Sequence, residues 1–404
     1  MDLKSGYPFW PVKNGLLNDF PALRENIDCD VLVIGAGITG ALVGWTLQSD
    51  GLDVCLVDRR EAGWGSTAAS TALLQYEIDT EMQALAARYG IDDALLAYRS
   101  CEQAIGSLQR AARSIGDVDF RKMRSLYYAS HWYHVKRLRR EAALRLQHGF
   151  RLRVLEANAV KDRFGFDAPL ALLTEVAAEV DPYRFAQRLL SAIRRAGGRV
   201  YDRSTVADFA PRRGGVAVRM ENDTSVRCRH LVIAAGYESQ NHLEQRVAKN
   251  RSSYAFVTEP VPEGLSALAH CMVWESARPY LYLRRTRDER LIVGGEDDAI
   301  DLPARRDARV VAKSEKLLKK TRALFPSLTL DPAFAWAGTF AETEDGLPFF
   351  GAHPQHGPRV HFAMAYGGNG ITYSAIGADL LRDSIAGRKH PCADLFSFAR
   401  LARA

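Results

Sequence analysis

The sequence predicts an α/β fold in which a βαβ unit near the N-terminus is interrupted by an antiparallel-sheet module and completed at the C-terminus. Three observations predict it. "DVLVIGAGITG", residues 30–40, is an apolar run that breaks into three glycines. Between about 250 and 296, "SYAFVTEP", "CMVWES", "YLYLRRT" and "RLIVGGED" alternate strand-like runs with charged turns, the texture of an antiparallel sheet. The last segment, "GTFAETEDGLPFFG" and "FAMAYGGNGITYSAIGADLLRDSIAG", returns to glycine-rich loops around apolar runs.

Val31, Leu32, Val33 and Ile34 are the continuous apolar stretch of a strand covered on both faces. Gly35, Gly37 and Gly40 follow in G-x-G-x-x-G spacing. Gly35 allows a tight turn, Gly37 lets the backbone approach a ligand, and Gly40 lets the next helix pack close. That helix starts near Ile38, with Thr39 in its first turn, and offers N–H groups and a positive dipole end to an anion. Gly51 stands where a C-cap glycine belongs. A second apolar run, Val54 to Val57, ends in Asp58, placed to accept from a ribose hydroxyl pair. The turn therefore makes room for a dinucleotide pyrophosphate, in a Rossmann-like unit.

A serine- and threonine-rich loop, "AGWGSTAASTALL", comes next, then helical patterns from about Thr80 to Ile115 and a short strand, "SLYYAS". "HVKRLRREAALRLQHGFRLR", residues 134–153, begins as a basic amphipathic helix and reads as a solvated face. "EVDPYRFAQRLLSAIRRAGGRVYDRSTV" is a proline-started helix capped by Gly197 and Gly198, then a strand ending at Val206. "HLVIAAG" at 230–236 is a further buried strand, and "DARVVAKSEKLLKKTRALFP" is the helix that closes the antiparallel module.

A chain of 404 residues with 47% hydrophobic and 25% charged composition has room for two or three ordinary globular cores. The net charge of +6 is modest, and aromatics do not interleave with it, so nucleic acid is not an expected partner. No apolar run reaches transmembrane length, and the N-terminus is too polar for a signal peptide. The six cysteines are dispersed without a C-x-x-C pair, which suits reduced thiols and a cytoplasmic location. The ten histidines carry no ligand spacing, so no metal is expected.

As a set, "DVLVIGAGITG…VCLVD", "GSTAAS", "EVDP", "HLVIAAG", "RLIVGG", "TEDGLPFFG" and "GGNGITYSAIG" resemble the FAD-dependent D-amino acid oxidase, glycine oxidase and sarcosine oxidase family, in family order from about residue 29 to 387. "SGYPFW" and "LLQYEIDTE" look like an amine-oxidoreductase-like subgroup. The resemblance implies an FAD-binding domain of the glutathione-reductase type formed by residues 29–85, 150–236 and 335–404. A substrate domain would comprise 86–149 and 237–334, and residues 1–28 an N-terminal arm. It places Asp58 on the adenosine ribose with Arg59 nearby, and Ser66, Thr67 and Ser70 around the pyrophosphate. Thr71, Ala72, Leu73 and Leu74 would lie beside the isoalloxazine, Val206 at the adenine, and Ala235 and Gly236 against the cofactor. Gly367, Gly368, Asn369, Gly370 and Ile371 would bring a helix N-terminus to the flavin end that gathers negative charge on reduction.

Two departures bear on chemistry. Gly338 stands where the sarcosine oxidase branch carries the cysteine that holds flavin covalently, so FAD is expected to be non-covalent. Phe340 stands where the glycine oxidase branch carries the arginine that grips the substrate carboxylate, and an aromatic ring cannot replace a guanidinium. Arg284 or Arg285 is left to bind an acid group, with Arg284 preferred because it shares a strand face with Tyr282. Tyr254, Tyr280, Tyr282, Trp336, Phe340 and Tyr366 are candidates for the wall of an amine pocket. The expected reaction is oxidation of a C–N bond of a small amine or amino acid to an imine, with electrons passing to oxygen or another acceptor. A flavin dehydrogenase of a hydroxy acid or polyol, and a flavoprotein without turnover, are the alternatives.

Overall fold

In the computed structural model, which describes residues 3–261, 264–299 and 302–403, the glycine-ended apolar run is a strand, Ile27–Ile34, inside an eight-stranded sheet. Val54–Val57 pairs parallel on one side and Ser225–Ile233 parallel on the other. Arg199–Tyr201 and Val360–Met364 extend the parallel set outward, and Phe349–Ala352 closes one edge antiparallel. Side chains of Val31, Leu32 and Val33 are fully buried, as a strand sandwiched between layers requires. One layer is the helix Ile38–Ser49, which packs between Pro182–Arg195 and Gly370–Ile385. Pro182–Arg195 starts as its sequence indicates: Asp181 accepts the Arg184 N–H at 2.9 Å, and Pro182 occupies the first turn.

The second sheet has ten strands among the described residues. From one edge the order is Lys4–Gly6, Pro332–Glu342, Lys249–Thr258, Leu291–Asp298, Leu281–Arg285, Cys271–Glu275, Arg121–Tyr128, Leu170–Glu179 and Leu73–Gln75. Leu152–Glu156 pairs off this path with Leu170–Glu179. All neighbours are antiparallel except Cys271–Glu275 beside Arg121–Tyr128. A second apolar core, around Phe256, Leu283, Val293 and Leu317, lies between this sheet and the helix Val310–Leu324.

Sheet membership does not follow the expected segments one for one. The strands Leu152–Glu156, Leu170–Glu179, Leu73–Gln75 and the 335–342 part of Pro332–Glu342, expected in the FAD-binding domain, pair in the ten-stranded sheet. The helix Ile91–Ile115, expected in the substrate module, packs on Gly370–Ile385 beside the parallel sheet. An apolar strand reads alike whichever sheet receives it, so periodicity cannot assign it. The N-terminal arm is no free tail, because Lys4–Gly6 forms the edge strand against Trp336, Ala337 and Gly338. Residues 1 and 2 of that arm lie outside the described residues. Val206 opens the strand Val206–Arg212; the strand before it ends at Tyr201.

The basic helix, Val135–Gln147, keeps most of its cations in solvent, with one exception. Arg145 is buried and paired with Glu141 at 2.7 Å, and its guanidinium lies 3.7 Å from Glu77. All six cysteines are buried and unpaired. No helix among the described residues is long and apolar enough to cross a membrane.

Candidate active site

A cavity of about 440 Å³ runs from the glycine turn of the parallel sheet to the face of the antiparallel sheet. Its first end is shaped by backbone constraints. Gly35 has φ +108°, and a Cβ there would lie 2.3 Å from the Ala234 carbonyl oxygen. A Cβ on Gly40 would lie 1.8 Å from the Gly35 oxygen, so this glycine lets the helix seat on the turn; it does not line the cavity. Gly37, Ile38 and Thr39 do line it. The Ile38 N–H donates to Thr67 Oγ1 at 2.9 Å, which ties the helix start to the serine- and threonine-rich loop.

Asp58 ends the second strand and lines the same end of the cavity. Its carboxylate accepts the Ala36 and Arg60 N–H groups at 2.8 and 2.9 Å. Burial still raises its pKa, against the lowering effect of those two donors. Arg59, Val206, Ala235 and Gly236 line this region, and Glu238 forms ion pairs with both Arg59 and Arg60.

Ser66, Thr67, Ser70, Thr71, Ala72 and Leu73 continue the wall, whereas Leu74 points into the core. Here three successive carbonyls are held by three donors from distant parts of the chain. Trp336 Nε1 donates to the Ala69 oxygen at 2.8 Å, Trp10 Nε1 to the Ser70 oxygen at 2.7 Å, and Arg284 Nε to the Thr71 oxygen at 2.8 Å. The next residue, Ala72, has φ +54°, a left-handed conformation that costs an alanine about 1–2 kcal/mol. The clamp holds that strained backbone against the cavity. Ser66 Oγ, buried and without a hydrogen-bond partner, lies in the same wall. Opposite, Gly367, Gly368, Asn369, Gly370 and Ile371 bring the N-terminus of the sixteen-residue helix Gly370–Ile385 to the cavity. Asn369 Nδ2 donates to the Glu77 oxygen at 2.6 Å and the Gly368 N–H to Asp79 at 2.7 Å, fixing that segment.

These features fit FAD: a glycine turn where a side chain would intrude, an unpartnered hydroxyl beside it, an acid at the second strand end, and a long helix aimed at the far end. Gly338 fits a cofactor held without a covalent bond, since a Cβ there would already lie 3.0 Å from the Ala69 Cβ.

The other end is walled by Trp274, Tyr254, Tyr280, Tyr282, Trp336 and Phe340 from the ten-stranded sheet. Tyr282 hydroxyl lies 3.2 Å from Ser253 Oγ, and its ring fills the space above Gly294, where a Cβ would come within 2.3 Å of it. Tyr254 donates to Asp298 at 3.2 Å.

Arg284 does not reach this cavity, contrary to the expectation that it grips a substrate carboxylate. It lies on the Tyr282 face of its strand but is covered, being 2% exposed. Its guanidinium pairs with Glu179 at 2.9 Å, donates to the Thr71 and Val180 oxygens, and lies 5.2 Å from the centre of the Trp10 ring. Arg285 pairs with Glu289 at the strand end and does not line the cavity either. Two carboxylates that sequence reasoning passed over, Asp79 and Asp297, do line it. The signal available for Asp297 was "GGEDD", a glycine pair followed by three acids inside an apolar strand.

Comparison with known proteins agrees with this geometry. The chain is 26% identical to gamma-glutamylputrescine oxidoreductase of Escherichia coli over 91% of its length and 86% of that protein's. It is 22% identical to glycine oxidase of Bacillus licheniformis, over 89% of its own length and 93% of the relative's. The structure of glycine oxidase from Geobacillus kaustophilus superposes with a TM-score of 0.79 at 19% identity, covering 92% of this chain and 98% of that one. Residues 30–384 match the DAO family, described as FAD dependent oxidoreductase, and the chain therefore belongs to that family.

Proposed function

We propose that this FAD-dependent oxidoreductase oxidises a C–N bond of a small amine or amino acid to an imine. The observation that carries this reading is the continuity of the cavity, from the glycine turn into an aromatic chamber on the antiparallel sheet. The two curated relatives, by name an oxidoreductase of gamma-glutamylputrescine and an oxidase of glycine, support the choice of nitrogen over oxygen as the substrate heteroatom.

FAD, when bound, supplies the two-electron acceptor that takes a hydride from the carbon next to nitrogen. Gly37, Ile38, Thr39, Ser66 and Thr67 would hold its pyrophosphate, and Asp58 its ribose. The clamped 69–72 segment and the Gly370–Ile385 helix would fix the isoalloxazine between them. A helix N-terminus there favours negative charge by about 0.3–1 kcal/mol, more where it is shielded from water. Tyr254, Tyr280, Tyr282 and Phe340 orient the substrate and exclude water, which is the contribution that positioning makes to such a transfer.

An anaerobic panel tests the reading. Amines, amino acids, hydroxy acids and polyols are mixed with the holoenzyme while the visible flavin band is followed. Bleaching by an amine or amino acid is the expected result. Bleaching only by hydroxy acids or polyols, or by nothing in the panel, would overturn it.

A further inference from the structure

The strand Leu291–Asp298 carries a bulge beside the cavity. Its partner register runs Ser252 to Asp298 and then Tyr254 to Gly295, so Glu296 and Asp297 together oppose the single residue Ser253. Gly295 has φ +138° and Glu296 φ +54°, the second a left-handed conformation for a residue with a side chain. The effect is to send three consecutive acids in different directions. Glu296 is buried against Val310–Leu324, where Lys316 donates to it at 2.6 Å and Lys320 also pairs with it. Asp298 pairs with Arg309 at 2.9 Å and accepts from Tyr254. Asp297 turns to the cavity, and its Oδ1 is buried there with no hydrogen-bond partner.

Among the described residues, no cation hydrogen-bonds that oxygen. Asp79 is the other charged residue lining this end of the cavity among the described residues. The lining arginines, Arg59 and Arg60, stand at the Asp58 end against Glu238. Arg278, outside the lining, acts on Asp297 through its charge, and it is engaged with the Tyr280 ring at 4.3 Å and the Asp79 backbone oxygen at 3.2 Å. A buried carboxylate oxygen with free lone pairs, among aromatic faces, is a receptor for a positive charge.

We propose that Asp297 receives the protonated nitrogen of the substrate and takes its surplus proton before the hydride leaves the neighbouring carbon, so that the enzyme selects cationic amines over substrates that present a carboxylate. This rests on the reading of the enzyme as an amine oxidoreductase. A carboxylate next to the amine would meet Asp297 and Asp79 with no guanidinium lining this end of the cavity among the described residues, since Phe340 replaces one candidate and Arg284 is committed to Glu179. The groups acting on Asp297 are Asp79, Arg278 and Glu342, which ends Pro332–Glu342 on the far side of Lys249–Thr258, together with the hydroxyls of Ser253, Tyr280 and Tyr282; Glu296 and Asp298 flank it on its own strand. Burial first, then the two carboxylates, raise its pKa to about 7, while Ser253 and Arg278 lower it. A cation that needs the ionised form should bind more tightly as pH rises through 7.

The test uses probes that cannot be oxidised at the carbon beside nitrogen, so it reads binding and not turnover. Tert-butylammonium and its anionic counterpart of the same shape, pivalate, are titrated into the holoenzyme while perturbation of the flavin spectrum and calorimetric heat are followed. The wild type should prefer tert-butylammonium, with affinity rising about tenfold between pH 6 and 8. Asp297→Asn should lose about tenfold or more of that affinity, lose its pH dependence, and bind pivalate no more weakly than before. Asp297→Glu should restore part of the cation binding. A wild-type preference for pivalate, or equal affinities in wild type and Asp297→Asn, would overturn the proposal. The first comparison needs no variant, so a misfolded Asp297→Asn does not shield it. Flavin bleaching by amines together with unchanged probe binding would sink the role of Asp297 alone; absence of any bleaching would sink the amine reading alone.

Discussion

Gly37 and Arg284 mark the two extremes of what a residue at this site does. Gly37 leaves space, and a Cβ there would lie 3.0 Å from Thr67 Oγ1, the atom that accepts the Ile38 N–H. Gly37→Val adds two further methyls toward the same hydroxyl and the cavity, so FAD binding should be abolished in a fluorescence titration of the refolded apoprotein. Asp58→Ala should weaken FAD binding by about 1–3 kcal/mol, the range for a hydrogen bond to a charged group. Retention of wild-type FAD affinity by both variants would remove this end of the cavity from the cofactor site. Arg284 fills space and neutralises charge. Arg284→Ala leaves Glu179 buried with Arg121 as its remaining partner among the described residues, and the Thr71 oxygen without its Arg284 donor. Removing one member of a buried pair costs about 3–5 kcal/mol, so the expected result is a large fall in thermal stability with equal proportional loss for all substrates. A selective loss of acidic substrates at unchanged stability would return Arg284 to substrate binding. The glycines were readable in the sequence because their constraint is local, one turn and one helix start. The Arg284–Glu179 pair spans 105 residues and belongs to the tertiary fold, so strand alternation could name the face of Arg284 and not its partner.

At the scale of elements, the segment around 69–72 owes its shape to its neighbours. Its carbonyls are held by Trp336 from the antiparallel sheet, by Arg284 from another strand of that sheet, and by Trp10 from the helix Phe9–Asn14 of the N-terminal arm. Trp10→Phe keeps most of the ring packing and removes one donor, a net change of about 0.5–1.5 kcal/mol. The holoenzyme should then release FAD several-fold more readily, as measured by dilution and fluorescence of the freed cofactor, with little change in the melting of the apoprotein. Equal destabilisation of apo- and holoenzyme would make Trp10 a plain core residue. "SGYPFW" offered no sign of this role beyond its aromatic content, because the hydrogen bond joins positions 60 residues apart. The bulge at Glu296 was illegible for a related reason. Two acids in a strand look like an exposed end until the lysines of Val310–Leu324 cover one of them and the cavity receives the other.

Across the whole molecule, two sheets share one cavity, and the order of motifs along the chain was enough to anticipate both sheets and the cofactor. The assignment of strands to sheets was not legible, since Leu152–Glu156 and Leu170–Glu179 join the antiparallel sheet although they lie between segments of the parallel one. With Gly338 where a covalent cysteine would stand, FAD is expected to be held by shape and hydrogen bonds. Acid precipitation should therefore leave the yellow colour in the supernatant, and colour retained by the pellet would contradict the reading of Gly338. On the proposed function, this cavity is where the C–H bond beside an amine nitrogen breaks. The most direct test is anaerobic stopped-flow reduction of the holoenzyme by an amine that bleaches it, compared with the same amine deuterated at the carbon next to nitrogen. Hydride transfer from that carbon predicts flavin reduction slowed several-fold by deuterium, with an imine or its hydrolysis product formed in equal amount to the reduced flavin. Reduction at the same rate for both isotopologues, with no C=N product or carbonyl recovered, would contradict it.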